Sequence, residues 1–353
     1  MEIGSDYSLN LSDLSKKEKC ISNYLSSFSH LYYFDSGRSA IKHISKHLKP
    51  NDEILMPEYI CESVLCCFNK ANIKFYRINE DFSINISDLK SKITKRTAIL
   101  YVLHYFGALQ PQCVLDEIKS VSIKNNLVII EDTTHSLFSA KKTIGDYLVC
   151  SIRKWVPIPN GGVLYYSENK MNIEKPLYNR NNDNSRLYAM TLKELYLNGV
   201  INNKSVYRKI FAECENNLDS QKTIMLASEL SEFLLDCFDI NELIYARIQN
   251  YSFLKDLLKK QGFNTALEID SYCTPLCFVI RSKKRDTIKT YLSDNNIYCA
   301  THWPFDGDSP VQRPNAIKNS QELLSIPVDQ RYNCEHMKYV AEVLLKSGGV
   351  TNS

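Results

Sequence analysis

Val128-Ile129-Ile130-Glu131-Asp132-Thr133-Thr134-His135-Ser136, joined further on by Ser151-Ile152-Arg153-Lys154-Trp155, decides how this chain is read. The first stretch has the composition of a buried strand whose carboxyl end delivers an acid and, three residues on, an imidazole. The second delivers a hydroxyl and, three residues on, an amine. In open α/β sheets, side chains at the carboxyl ends of strands face the ligand crevice. Four polar groups from two such ends predict a preformed polar site.

Working outward, the chain alternates. Leu31–Phe34 reads as a short strand, and Asp35-Ser36-Gly37-Arg38-Ser39-Ala40 turns into a helix that reaches about Leu48. Gly37 supplies freedom at that turn, and Ser36 or Ser39 caps the helix. Glu53–Met56 is the next strand, and Pro57 is expected to open another helix. Further strands are expected at Ile73–Ile78, Ala98–Leu103, Leu127–Ile130 and Tyr147–Cys150, with helices at Ile86–Ile93 and residues 113–125. Gly161–Tyr166 reads as an outer strand after a glycine turn. Near-continuous apolar strands separated by helices imply an α/β domain with a largely parallel sheet. Asn172–Asn203 reads as an irregular excursion, and apolar residues recur at helical spacing from Thr223 to Lys260. Pro275–Ile280 and Ile297–Ala300 are strand-like, while Asp286–Asp294 and Cys334–Lys346 are helical. The division expected is an N-terminal arm or helix (1–30), a large domain (31–225) and a smaller α+β C-terminal domain (226–353).

Composition narrows the partners. With 43 basic and 40 acidic residues spread along 353, the formal charge is +3 and no basic block stands out, which argues against nucleic acid. No apolar run approaches the ~20 residues of a membrane helix. No secretory signal opens the sequence. The twelve cysteines are therefore expected to be reduced and the protein cytoplasmic. Cys61, Cys66 and Cys67 lack a second Cys-x-x-Cys pair, and His43 and His47 lack a third ligand, so no metal site is expected.

Chemistry sharpens the reading. A pyridine ring acts as an electron sink when a carboxylate keeps its nitrogen protonated. Its aldehyde needs an amine for a Schiff base, and its phosphate needs backbone N–H groups at a helix N-terminus. Asp132, Lys154 and the Ser36–Ser39 turn meet these needs. Ser151 adds a hydroxyl for the phosphate, and His135 lies against the ring or reaches its phenolic oxygen. Each has an ordinary alternative. Lysine is usually solvated, aspartate after a strand is often a helix cap, and a buried histidine is often structural.

In these motifs the sequence resembles the fold-type I pyridoxal-phosphate enzymes, specifically the DegT/StrS-like sugar aminotransferases. The resemblance rests on Ser36-Gly37-Arg38-Ser39-Ala40, Met56-Pro57-Glu58-Tyr59, His104-Tyr105-Phe106-Gly107, Ile130–His135, Gly145-Asp146-Tyr147 and the Ser151, Lys154, Gly161-Gly162 tract, in that order. It implies a seven-stranded-type sheet in the large domain and pyridoxal 5'-phosphate as cofactor. Lys154 would carry the Schiff base and the proton, with Asp132 on the pyridinium. Ser36, Gly37, Arg38 and Ser151 would hold the phosphate. Tyr59 or Cys61 would cover the ring face, with His135 near the phenolic oxygen. The reaction implied moves an amino group from glutamate or glutamine to a keto-sugar, expected to be nucleotide-linked, in polysaccharide or secondary-metabolite biosynthesis. A homodimer with the site at its interface is implied as well.

His104, Arg153, His302 and Trp303 are candidate substrate contacts. Alternatives are another pyridoxal-phosphate outcome (dehydration, decarboxylation, condensation), a small non-sugar carbonyl acceptor, or a non-catalytic sensor. Lys154 argues against the family's sugar dehydratases, where histidine replaces it. The chain departs from the pattern in two places. Only three residues separate Ser151 from Lys154, and the Asn-x-Arg segment expected from a partner subunit has only Tyr178-Asn179-Arg180 and Asn184-Ser185-Arg186 as candidates.

Overall fold

The computed structural model describes residues 2–28, 30–68, 72–139, 143–166, 183–304 and 313–348. In chain order the strands are β1 (Ile3–Gly4), β2 (Leu31–Phe34), β3 (Glu53–Pro57), β4 (Asn72–Tyr76), β5 (Thr97–Leu103), β6 (Val128–Asp132), β7 (Tyr147–Cys150), β8 (Gly162–Tyr166), β9 (Cys277–Arg281), β10 (Ile297–Tyr298) and β11 (Leu323–Pro327). The helices are α1 (Ile21–Ser26), α2 (Gly37–Ser45), α3 (Glu62–Leu65), α4 (Ile86–Lys92), α5 (Gln112–Asn125), α6 (Asn184–Leu197), α7 (Ser205–Ser220), α8 (Glu229–Leu234), α9 (Ile240–Lys259), α10 (Arg285–Asp294), α11 (Pro314–Glu322) and α12 (Cys334–Lys346).

Seven strands form one sheet in the order β2-β8-β7-β6-β5-β3-β4. Its pairings are parallel except at β8, which runs antiparallel to both β2 and β7. The sheet is the mostly parallel one expected, and its inner strands are apolar because helices cover both faces. Ile129, Ile130, Leu100 and Val102 are almost wholly buried. One core cluster joins the strands to Ile41 and Ile44 of α2 and Leu115 and Ile118 of α5. A second gathers Ile21 and Leu25 of α1, Trp155, Met190 of α6, Phe211 of α7 and Leu234 of α8. A third belongs to the C-terminal elements, where α9, α10 and α12 pack on the β9/β11 pair, with Ile3 of the arm in the same cluster.

Three expectations are corrected. Pro57 closes β3 opposite Tyr76 instead of opening a helix, and the next N–H, that of Glu58, donates to the Tyr76 carbonyl. Gly161–Tyr166 is not an outer strand: β8 lies between β2 and β7, and β2 is the edge. The stretch Asn172–Asn203 is not irregular throughout, because Asn184–Leu197 forms α6; its residues 172–182 lie outside the described residues. The buried face of α6 carries Arg186, Ala189, Met190 and Lys193. That spacing is helical, but two of the four are cations, so hydrophobic periodicity does not reveal it. Helices α7 and α11 and strand β11 were also not read from the sequence.

Candidate active site

Strand register brings the carboxyl ends together. Leu103 of β5, Asp132 of β6 and Val149 of β7 lie side by side, so Asp132 stands beside the chain that continues into Ser151 and Lys154. A single 3-10 turn, Ile152–Lys154, follows β7 and sets the lysine three residues beyond the serine. On the far side of β8, Ser36 ends the edge strand and starts α2. The Ser36 hydroxyl caps the helix by accepting the Ser39 N–H at 3.1 Å, and the Ala40 N–H donates to the Ser36 carbonyl at 3.2 Å. The N–H groups of Gly37 and Arg38 remain as the donors the helix itself does not use.

The approach of these segments is tight. A Cβ on Gly37 would lie 3.4 Å from the Ser151 Cβ, and a Cβ on Gly162 would lie 2.1 Å from the Ser36 carbonyl carbon. Only glycine lets β8 pass beneath the turn. The result is a cavity lined by Ser36, Gly37, Arg38, Cys61, Asp132 and Lys154, with Thr134, His135, Ser151, Arg153 and Trp303 completing its wall. Its free volume is about 80 Å³. Larger hollows of about 260 and 360 Å³ lie at the N-terminal arm and beside Phe82, but neither gathers an amine, a strand-end carboxylate and a helix N-terminus.

Hydrogen bonds orient Asp132 and Thr134. The Asp132 carboxylate accepts the Tyr101 hydroxyl at 2.8 Å and the Thr134 N–H at 2.9 Å. The Thr134 hydroxyl accepts the Ser151 N–H at 3.1 Å, and the Thr134 carbonyl accepts the Trp155 indole N–H at 2.9 Å. Burial pushes the Lys154 amine below the usual lysine range; Cys61 and Asp132 oppose that shift and Arg153 adds to it. The neutral, nucleophilic form is thereby favoured.

His135 is fully buried, and burial, then Lys154, then His302 hold its pKa far below the ordinary histidine value. Its Nδ1 accepts the Phe106 N–H at 3.3 Å, so the neutral ring carries its proton on Nε2. The Trp303 ring stacks on it at 5.5 Å. His302 packs at 5.3 Å from the same ring, accepts or donates at Nδ1 with the Ser325 hydroxyl at 2.8 Å, and is pushed down to about 3, first by burial and then by Lys154.

Not every sequence candidate reaches the cavity. Tyr59 does not line it: its ring is buried against Tyr105 and Trp303, and its hydroxyl has no hydrogen-bond partner among the described residues. Cys61 does line it. His104 is also absent from the wall, because its Nε2 pairs with Glu131 at 2.9 Å and its Nδ1 accepts the Gln110 N–H at 3.0 Å. Arg153 lines the cavity, but both guanidinium prongs are on Glu215 of α7. Arg186, in one of the two Asn-x-Arg candidates, pairs with Glu215 of its own chain; Arg180 lies outside the described residues. Sequence reasoning missed Tyr101, Thr134 and Glu215. For Tyr101 a signal existed, since a tyrosine inside a buried strand needs a polar partner.

The residues present fit pyridoxal phosphate on their chemistry. A half-buried amine with lowered pKa, an oriented carboxylate, two free helix-end N–H groups beside a hydroxyl, and an N–H donor on a neutral imidazole face one hollow.

Residues 17–152 match the model of the DegT/DnrJ/EryC1/StrS aminotransferase family. A pleiotropic regulatory protein of Geobacillus stearothermophilus is 22% identical over 83% of this chain and 77% of its own. An uncharacterized protein of Methanocaldococcus jannaschii, MJ1066, is 30% identical, but over 29% of this chain and 28% of that one. The structure of NtdA from Bacillus subtilis with bound PMP superposes with a TM-score of 0.66 at 16% identity, covering 92% of this chain and 74% of that one. Helicobacter pylori PseC, an aminotransferase of pseudoaminic acid biosynthesis, gives 0.66 at 14% identity over 98% and 99%. At such identities the superpositions establish the fold, that of fold-type I aminotransferases.

Proposed function

We propose that this chain, whose residues 17–152 match the model of the DegT/DnrJ/EryC1/StrS aminotransferase family, is a pyridoxal-phosphate-dependent transferase that moves an amino group from an amino acid such as glutamate or glutamine to a keto-sugar. The observation that carries this reading is the Lys154 amine in the same hollow as the strand-end Asp132 carboxylate and the α2 N-terminus.

Pyridoxal phosphate, when bound, supplies an aldehyde for covalent attachment to amines and an electron sink for the charge that develops at the substrate carbon. The residues divide the remaining work. The Gly37 and Arg38 N–H groups and the Ser151 hydroxyl bind the phosphate dianion at the helix N-terminus. Asp132, fixed by Tyr101 and Thr134, presents its free lone pairs to the pyridinium nitrogen. The His135 Nε2–H would be available to the phenolic oxygen, and Cys61 would be the residue against the ring. Lys154 gives up and regains a proton, a role that suits an amine whose pKa is lowered toward neutrality. Trp303 stacks on His135 from the C-terminal elements and lines the hollow, where it would shield the ring from water and face the acceptor, while His302 packs against the His135 ring and is not part of the cavity wall.

Among similar folds, the structure of DesI in the presence of its TDP-sugar product motivates a nucleotide-linked acceptor. A homodimer is part of the proposal. All twelve cysteines are free, which favours a reducing, cytoplasmic setting, and among the described residues no helix is long and apolar enough to cross a membrane.

The experiment is spectroscopic. Purified protein given pyridoxal phosphate is expected to turn yellow and to bleach with borohydride, and Lys154→Ala to bind the cofactor without covalent attachment. Asp132→Asn is expected to slow substrate proton abstraction far more than it weakens binding. Glutamate should then convert the bound cofactor to its amine form. A Lys154→Ala variant with full turnover contradicts the assignment.

A further inference from the structure

The segment from Glu215 to Gln221 fastens the phosphate turn from outside the cavity. Glu215 takes both prongs of Arg153, Nη1 to Oε1 at 2.8 Å and Nη2 to Oε2 at 3.0 Å. The same carboxylate accepts Arg186 at 2.6 and 2.7 Å and lies 3.7 Å from the Arg38 guanidinium. One helical turn on, Asp219 pairs with Arg38. Lys42 Nζ then donates to the Gln221 carbonyl at 2.5 Å, and Gln221 Nε2 donates to Asp35 at 2.7 Å. These anchors bracket Gly37 on both sides.

The charges matter as much as the contacts. Arg38, Arg153 and Arg186 face Glu215, Asp219 and Asp6, so the guanidinium groups beside the cavity are already neutralised. Burial pushes the Glu215 carboxyl up, but Arg153 and Arg186 outweigh it and hold the pKa below the usual value, so the acid stays charged. A dianion at this turn therefore meets arginines whose charge is already matched, though the buried Nε–H of Arg153 has no partner among the described residues. It depends on the placement of N–H and hydroxyl donors, and donor placement depends on the turn being held still.

We propose that Glu215 and Asp219 are positioning residues for the cofactor phosphate. By tying the Arg38 and Arg153 guanidinium prongs down at the cavity wall and pinning the Asp35–Lys42 segment, they leave phosphate recognition mainly to the Gly37 and Arg38 backbone and to Ser151. The inference rests on the pyridoxal-phosphate reading above.

Two hypotheses for the arginines give opposite signs. If Arg38 or Arg153 were a direct phosphate ligand, Glu215 would compete for it, and Glu215→Gln would tighten cofactor binding. If Glu215 positions the turn, the same change loosens it. The measurement is the dissociation constant of pyridoxal phosphate and of phosphate-free pyridoxal, read from quenching of Trp155 and Trp303 fluorescence. Amide exchange at residues 37–40 of the cofactor-free protein is followed alongside.

Glu215→Gln is expected to weaken pyridoxal phosphate by about tenfold, the equivalent of about 1.4 kcal/mol, with pyridoxal unchanged and exchange at the turn faster. Asp219→Asn, whose exposed side chain reaches only Arg38, should shift both readouts the same way by less, and Asp219→Glu should restore them. Tighter binding of pyridoxal phosphate by Glu215→Gln overturns the proposal, as does equal weakening of both ligands, which marks a purely structural cluster. Wild-type protein that binds neither ligand sinks the cofactor reading itself and this inference with it.

Discussion

Gly162→Ala tests how the proposed phosphate-binding turn at Ser36–Ser39 is built. The added methyl would sit 2.1 Å from the Ser36 carbonyl carbon, 2.2 Å from its oxygen and 2.5 Å from the Gly37 nitrogen, all backbone atoms. Ordinary contact begins at 3.4 Å, so β8 and the turn must part by more than an ångström. No rotamer change can relieve this, because Phe34 pairs with Gly162 and the turn continues directly from that strand. Overpacking of this kind costs about 1–3 kcal/mol, a loss of several degrees in Tm. The functional loss should be larger, since a misplacement of about 1 Å at a binding turn can cost on the order of 10²-fold in turnover. The assay is paired: Tm of the cofactor-free protein and pyridoxal-phosphate affinity, with Gly161→Ala as comparison. At Gly161 the methyl meets only side-chain carbons of Ile152 and Ile158, at 2.7 Å, which can move. Wild-type Tm together with wild-type affinity in Gly162→Ala would refute the reasoning, and so would a greater affinity loss in Gly161→Ala.

Two further outcomes are expected. Tyr59→Phe removes a buried hydroxyl that has no partner among the described residues, so stability should stay level or rise by about 1 kcal/mol, with cofactor affinity unchanged; a marked fall in Tm would show that the hydroxyl is bonded. Stability should also fall with acidification. His135 and His302 are held neutral by burial, His302 down to about 3, so below about pH 6.5 the unfolded chain binds more protons than the folded one. The stabilisation is complete above that pH and is lost as pH drops, by up to about 1.4 kcal/mol per pH unit for each group. His302 is only half-buried, so its share is the smaller. Urea midpoints that stay flat between about pH 7.5 and about pH 5 would contradict this linkage.

The inner strands were legible in the sequence because the sheet is covered on both faces, which makes Ala98–Leu103 and Val128–Ile130 almost continuously apolar. The same strands carry Asp132 and lead into Ser151 and Lys154, so the heart of the site was legible with them. What failed was non-local. Nothing in Gly162–Tyr166 says that this strand inserts antiparallel between β7 and β2; pairing across the sheet decides it. Helix α6 hid its period because Arg186 and Lys193 occupy core positions, made tolerable by Glu215 and by Glu2 and Ser5. His104 looked like a substrate contact because it follows a strand end, yet Glu131 from the next strand claims it.

The pairing of Ile3 and Gly4 with Ile297 and Tyr298 joins segments nearly three hundred residues apart, and Arg331 secures it by donating to the Ser5 and Asp6 carbonyls. During synthesis at about 5–20 residues per second, the first of these segments waits on the order of 15–60 s for the second to exist. The C-terminal unit thus receives a strand from a segment made long before it. Any change that displaces Ile3 should register first as incomplete closure of a core built mostly from residues far along the chain.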